Sequence, residues 1–538
     1  VKMGIPSYYK KLCSTVKGIN VRSTGTPIDY LWFDYNCLIY YVLKSMPAYT
    51  PGDAESWEAE LIKRTCTYTR HVVNAAGNPR AVFLGVDGVV PFAKIKQQRL
   101  RRWKSIWTTE EEQRLGKLDV NAPVWDRNAL TPGTAFMNKL SAALERLSQE
   151  HKWACSTVHE PGEGEHKVMS RLRKLSELNE SAGATHVIYG LDADLILLTL
   201  YNARFLHADS TVYLLREDDK ETQTNPLTNT IEYVYSYFNV GKLRTALLAK
   251  IRRAGEDDVT ALTDYIFAIT LLGNDFVPHG LSLSLKGDGY ENLMRLLRDP
   301  GRPRLISPAL AWCTDGLQYI YSYSAALEAG WIVNEIQHKR ESVKHRAVYG
   351  ADANEPWARA YSHWMKRPAQ RMDEYALTDS VGEKTVSLHS NWRHLYYKVW
   401  FGTQNCKGPC DSYNEGLDWV LRYYTGQTVD LFWYYPWNLP PLFSDLAAHY
   451  TKWLGRPVHA EKKTVPLTEV EQCAMALPAS SLHLCTDRRY HVLPQIIPHY
   501  FPSRCKFFYA GKHLLWECEP RLGLITPERL RSIVKRVI

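Results

Sequence analysis

Three short apolar runs in the first 200 residues break off at aspartate: Asp29–Asp34, Ala81–Asp87 and His186–Asp194, the last closing on Asp192, Ala193 and Asp194. Continuous rather than alternating hydrophobicity is the pattern of strands buried on both faces of a parallel sheet. Between the runs the period becomes helical. Cys37–Leu43, a stretch near 55–75 and the run 91–107 read as helices. So does Thr134–Gln149, whose Phe136, Met137, Leu140, Ala143, Leu144 and Leu147 fall at i, i+3, i+4 spacing. Residues 159–174 open as a Gly-rich loop and continue as a helix, and Asp264–Gly273 reads as a buried one. Strand alternating with helix over residues 3–300 predicts an α/β core with a mostly parallel, twisted sheet flanked by helices.

Residues 301–390 are polar and irregular, and read as a linker with exposed helices. From 391 to 538 the chain is rich in Trp, Tyr and Phe, and we expect a helical, aromatic region packed against the core. A final helix begins at Thr526, Pro527 and Glu528, a capping sequence.

Composition narrows the class. A chain of 538 residues, 45% hydrophobic and 23% charged, is globular material rather than disorder. No run of eighteen apolar residues predicts a membrane-spanning helix, and the first residues hold no apolar signal core. Met3 reads as the native start, with Val1 and Lys2 a cloning remnant. Eleven cysteines without a small-scaffold framework point to a reducing, intracellular setting, taken as cytoplasmic with a nuclear address as the alternative. Cys406 and Cys410 have no convincing second ligand pair, since His483 and Cys485 would join them only by accident of folding; free thiols are expected rather than zinc. Net charge is only +9, but Lys94, Lys96, Arg99, Arg101, Arg102 and Lys104 crowd into eleven residues without an acid. That run predicts a polyanionic ligand.

The ends of the predicted strands carry the chemistry. In open α/β sheets the reactive crevice lies beyond the carboxyl ends of the strands. Asp34, Asp87, Asp192 and Asp194 would meet there, joined by Glu163 and Glu165 around a glycine and by Asp275 after Gly273 and Asn274. A strand-end acid taken alone is often a helix cap. Paired acids at i and i+2, twice, are not needed for capping. Such a cluster is unfavourable unless a hard divalent cation neutralises it, and carboxylate ligands suit magnesium or manganese. Two such ions could activate water and stabilise the leaving oxygen of a phosphodiester.

The motifs also resemble a known family. Met3–Lys10, Val86–Arg102, Thr131–Met137, Pro161–Lys167, Tyr189–Leu195, Leu272–His279, Trp392–Lys398, Glu415–Tyr424, Phe432–Pro436 and Trp516–Cys518 resemble, in order, the nuclease core of the Xrn-type 5′→3′ exoribonucleases. The resemblance implies a PIN/flap-nuclease-like fold with the seven carboxylates as ligands of two Mg2+ (or Mn2+) ions. It implies that Lys94, Gln98, Arg101 and Arg102 hold a 5′-monophosphate, for which Arg forks and a Lys charge are suited. It further implies a monomer that degrades single-stranded RNA processively from a 5′-monophosphate. Where the family stacks a histidine on a base, this chain has Tyr40, which also offers a flat π-face. Trp433 is the candidate for the opposing wall, with Trp419 second, and Asn36 is read as orienting Asp34, contacting phosphate or capping a helix. Tyr396, Tyr423 and Tyr424 are read as core. The alternatives are a flap-type DNA endonuclease on the same carboxylate fold, and an RNA-binding scaffold without catalysis.

Overall fold

The computed structural model describes residues 8–178, 182–190, 192–224, 231–285, 287–344, 355–382, 385–453 and 465–537. The Met3–Ser7 part of the first motif and Leu191 lie outside them. The centre is a seven-stranded sheet in the order β1-β9-β6-β5-β2-β3-β4. Its strands are β1 (Asn20–Val21), β2 (Tyr30–Asp34), β3 (Ala81–Gly85), β4 (Ala154–Ser156), β5 (Thr185–Tyr189), β6 (Thr211–Glu217) and β9 (Tyr235–Asn239). The short ribbons β7–β8 (Gln223–Thr224, Ile231–Glu232) and β10–β11 (Thr378–Val381, Val386–Leu388) stand apart. The five strands from β6 to β4 are parallel; β9 and β1 complete the sheet antiparallel.

Strand β2 is central and fully buried, in register with β3 from Tyr30↔Ala81 to Asp34↔Gly85 and with β5 from Tyr30↔His186 to Phe33↔Tyr189. Its side chains alternate between two cores. Tyr30 and Trp32 pack with Phe83, Ile188 and the helices Gly164–Glu177 and Ala193–Asn202. Leu31 and Phe33 pack with Leu84, Val187 and the helices Tyr35–Leu43, Ala54–Ala75 and Ala135–His151. Burial on both faces explains why the strands show no alternation in sequence.

The basic run forms one long helix, Phe92–Arg114. Much of its charge is structural. Lys96 donates to the Tyr435 carbonyl (2.6 Å), Arg99 to those of Met475 (2.9 Å), Gly523 (3.1 Å) and Tyr500, and Lys104 to those of Trp516 (2.9 Å) and Cys518 (2.7 Å). These latches fix the C-terminal segments to the core.

The helices expected over 301–390 are present, but the segment packs into the core rather than forming an exposed linker. Leu305, Ile306, Leu317, Ile320 and Tyr321 belong to the main core, and helices span Thr314–Ala325, Glu328–Lys344 and Ala358–Met365. The local sequence is polar because its acids and bases pair in the interior. Lys339 donates to Glu374 at 2.6 Å, and neither side chain is exposed. Cutting one member of such a pair leaves an uncompensated buried charge. Lys339→Met is therefore expected to destabilise the protein by about 3–5 kcal/mol, and Lys339→Met/Glu374→Met to recover most of it. Denaturant midpoints check this; a single variant no worse than the double would contradict it.

Candidate metal centre

Helices start where the strands end, and the acids stand at the joints. Asp34 precedes Tyr35–Leu43, Asp192 precedes Ala193–Asn202 and Glu163 precedes Gly164–Glu177, each in extended conformation at the N-cap position. None of the three side chains caps its helix, whereas Thr134, Asn239, Asp257 and Thr468 do cap theirs. The capping account of these acids fails. Their carboxyls are left for another partner, at helix N-termini whose partial positive charge favours anions.

All seven predicted acids interact in one buried cleft. Burial first, then the charges of Asp87 and Asp192, hold Asp34 well above the usual carboxylate range. Burial and Asp275 do the same for Asp194, burial and Glu163 for Glu165, and Asp87 rises through burial and Glu163. Burial lifts Asp192 to about 6 against the opposing pull of Lys94. Close approach is built in at Gly164, whose amide donates to Asp87 Oδ1 at 2.7 Å. A Cβ there would strike the Gly85 carbonyl and come within 2.9 Å of Asp34 Oδ1, so only glycine fits.

One ammonium answers the cluster. Lys94 Nζ lies 2.5 Å from Glu163 and 2.7 Å from Asp275, nearly buried. Burial works against its charge, but Asp275, Glu163 and Glu165 outweigh that and hold its pKa well above normal. Lys94, expected in a phosphate pocket, is thus placed among the acids. The other three members of that set lie on the same helix. Gln98 is buried, its Oε1 without a partner among the described residues. Arg102 is buried against Asn128 Oδ1 (3.4 Å) and the Leu130 carbonyl (3.3 Å), while Arg101 is half-buried and offsets part of the rise of Asp192. Tyr40 is 37% exposed and its phenol acts electrostatically on Arg102.

Asn36 orients Asp87 rather than Asp34: its Nδ2 donates to Asp87 Oδ2 at 2.8 Å, and its Oδ1 accepts from the Asp87 amide at 3.4 Å. Trp419 is corrected too. It is fully buried, donates to the Asp430 carbonyl (2.8 Å) and offers no free face to a base. Half-buried Trp433 stacks on it at 5.3 Å, in space left by Gly416.

Two residues were missed in sequence. Tyr423, read as core, donates its hydroxyl to Glu163 Oε1 at 2.7 Å. His166 packs on Tyr423 at 4.0 Å, and burial lowers its pKa to about 4. Its ligand atom and those of Glu163 and Glu165 lie within 4.8 Å of one another. The clue was its place directly after Glu165.

These residues fit a hard cation. The donors are almost all carboxylate oxygens, one of them (Asp194 Oδ1) is buried without a hydrogen-bond partner among the described residues, and Lys94 pairs with only two of the seven acids. A carboxylate-lined cleft at the carboxyl edge of a parallel sheet, beside a cationic helix, defines the class of metal-assisted hydrolases of phosphate esters. Comparison with known proteins gives the family. Residues 3–218 match the XRN 5′-3′ exonuclease N-terminus and residues 320–537 the Xrn1 helical domain. The chain belongs to the Xrn family of 5′→3′ exoribonucleases. It is 24% identical to 5′-3′ exoribonuclease 2 of Gallus gallus over 99% of this chain and 70% of that protein. With 5′-3′ exoribonuclease 1 of Saccharomyces cerevisiae it shares 23% over 98% of the chain and 43% of the relative, and with that of Homo sapiens 26% over 98% and 34%.

The raised carboxyls give a signed expectation. Unfolded carboxyls titrate near 4, and Asp192 does so at about 6 when folded. The folded state therefore binds these protons more tightly. Their stabilising contribution is full below about pH 4 and is lost as pH rises through 6. A metal must displace the same protons, so the rise in melting temperature caused by Mg2+ should grow from pH 5 to pH 7. A rise independent of pH would contradict this. Asp194→Asn should raise the melting temperature in EDTA, by relieving repulsion, and shrink the Mg2+-induced rise.

Proposed function

We propose that the chain hydrolyses single-stranded RNA bearing a 5′-monophosphate, one nucleotide at a time, as a monomer on a PIN/flap-nuclease-type sheet. The reading rests on one observation above the others: seven carboxyls held in one buried cleft by an Xrn-family chain. Asp34, Asp87, Glu163, Glu165, Asp192, Asp194 and Asp275 would hold two Mg2+ or Mn2+ ions. When bound, such ions lower the pKa of water and stabilise charge on the leaving oxygen.

The chain's own residues do the positioning. Asn36 fixes Asp87 and Tyr423 fixes Glu163 through the hydrogen bonds described above. Trp433 and Tyr40 offer faces on which the leading bases stack, worth about 1–3 kcal/mol per base. Arg101 receives the terminal phosphate on the face of the helix that carries Lys94. Addition of water at the first linkage expels the 3′-oxygen of the leading nucleoside and releases a nucleoside 5′-monophosphate. The shortened strand again begins with a 5′-monophosphate, so the cycle repeats. Eleven free thiols suit a reducing compartment, and we place the enzyme in the cytoplasm.

One labelled RNA carrying a 5′-monophosphate, a 5′-hydroxyl or a cap tests the reading. With Mg2+ only the first should be degraded, EDTA should stop it, and Asp192→Ala should be inactive. Equal digestion of the three ends would defeat the end-recognition step. Arg101→Ala should cut the preference for 5′-phosphate about tenfold or more, the loss of a charge-assisted hydrogen bond of about 1.5–3 kcal/mol. A flapped DNA cleaved in preference to single-stranded RNA would favour the endonuclease instead.

A further inference from the structure

The basic helix borders a second cationic hollow, away from the acids. A cavity of about 640 Å³ lies between its C-terminal half, the short helix Arg367–Arg371, the end of the helix Trp392–Trp400 and residues 504–521. Five cations ring it: Arg367, Arg371, Arg504, Lys506 and Arg521, all exposed. Among the described residues, none of the five forms an ion pair with a carboxylate. Two acids line the cavity, and one of them, Glu111, is taken by Arg114 at 2.7 Å; Asp373 is the other.

Aromatic rings hold the guanidiniums without neutralising them. Arg371 lies 5.5 Å from the centre of the Tyr509 ring, and Arg521 lies 3.9 Å from that of Phe508. Half-buried Trp107 and Trp400 add open ring surface to the wall. Unpaired cations beside aromatic faces form the pattern that binds single-stranded nucleic acid through phosphates and bases together.

Helical phase separates this cavity from the catalytic cleft. Trp107 stands about 20 Å along the helix from Lys94 and about 140° round it, with Glu111 about 100° round. The reacting linkage at the acids is therefore out of reach of the cavity. A longer strand is not.

We propose that this cavity is a second RNA-binding site, taking the sugar–phosphate backbone and bases of the strand downstream of the nucleotides in the cleft. It rests on the exoribonuclease reading and accounts for a grip on the substrate between cycles. The site is tested with Arg367→Ala/Arg504→Ala, two exposed positions outside the catalytic machinery. Affinity for 5′-phosphorylated RNAs of 4 and 30 nucleotides is measured by fluorescence anisotropy in EDTA across a salt series. Hydrolysis of the 4-mer is measured in Mg2+. The variant should bind the 30-mer at least tenfold more weakly, with a salt slope shallower by about 1.4 for two lost phosphate contacts. Its hydrolysis of the 4-mer should equal that of the unaltered protein. An unchanged 30-mer affinity and slope, or an equal loss on both RNAs, would overturn the second site. Failure of the unaltered protein to hydrolyse the 4-mer would instead overturn the catalytic reading, on a separate measurement.

Discussion

Seven carboxyl groups folded around one ammonium set the terms for everything else in the molecule. Acids this close repel one another, and burial removes the water that would screen them. Lys94 answers only part of that charge, through Glu163 and Asp275. Three helix N-termini, at Asp34, Glu163 and Asp192, contribute favourable partial charge at the same edge. The remainder appears as protons held above their usual range on Asp34, Glu165, Asp192 and Asp194. Strain of this kind is resolved by a cation. The scaffold therefore has to be rigid elsewhere, and the two cores on either face of β2 supply that rigidity.

The basic helix shows why composition and function part company. Six cations in eleven residues suggested one polyanion-binding face. Folded, they divide by helical phase. Lys94 and Arg101 act on the acids and Arg102 is held by Asn128 and the Leu130 carbonyl, whereas Lys96, Arg99 and Lys104 bind backbone carbonyls of the C-terminal segments. A buried cation bonded to carbonyls keeps its hydrogen bonds yet loses favourable solvation, and burial lowers Arg99 to about 10. The same residue types thus do two jobs, and only their angular position on the helix distinguishes them.

Much of this was legible in the chain, and the failures have physical causes. Strands β2, β3 and β5 are continuous apolar runs because both faces are covered, and their terminal acids mark the cleft. The antiparallel edge was not legible, since β1 has two residues and gains its register only from β9. Residues 301–344 misled because pairing hides polarity: Glu328 is buried and satisfied by the amides of Phe443 and Ser444, far away in sequence. Asn36 was paired with its near neighbour Asp34, whereas its true partner, Asp87, is brought up by the adjacent strand. Tyr423 looked like any other aromatic on an amphipathic helix, because a hydroxyl's partner 260 residues away leaves no local trace.

The aromatic C-terminal region is then more than a wall. Trp433 stacks on Trp419, Trp419 stacks on Tyr423 at 4.7 Å, and Tyr423 holds Glu163. The outermost ring is accessible and the innermost hydroxyl touches a candidate metal ligand. Interiors are close-packed, so a ring displaced at one end of such a stack presses on the next. Displacement of the Trp433 ring would thereby reach Glu163 through the buried Trp419 and the partly buried Tyr423. The aromatic stack and the geometry of the acids belong to one packed unit, which is a physical reason for the nuclease sheet and the aromatic segment to occupy a single chain.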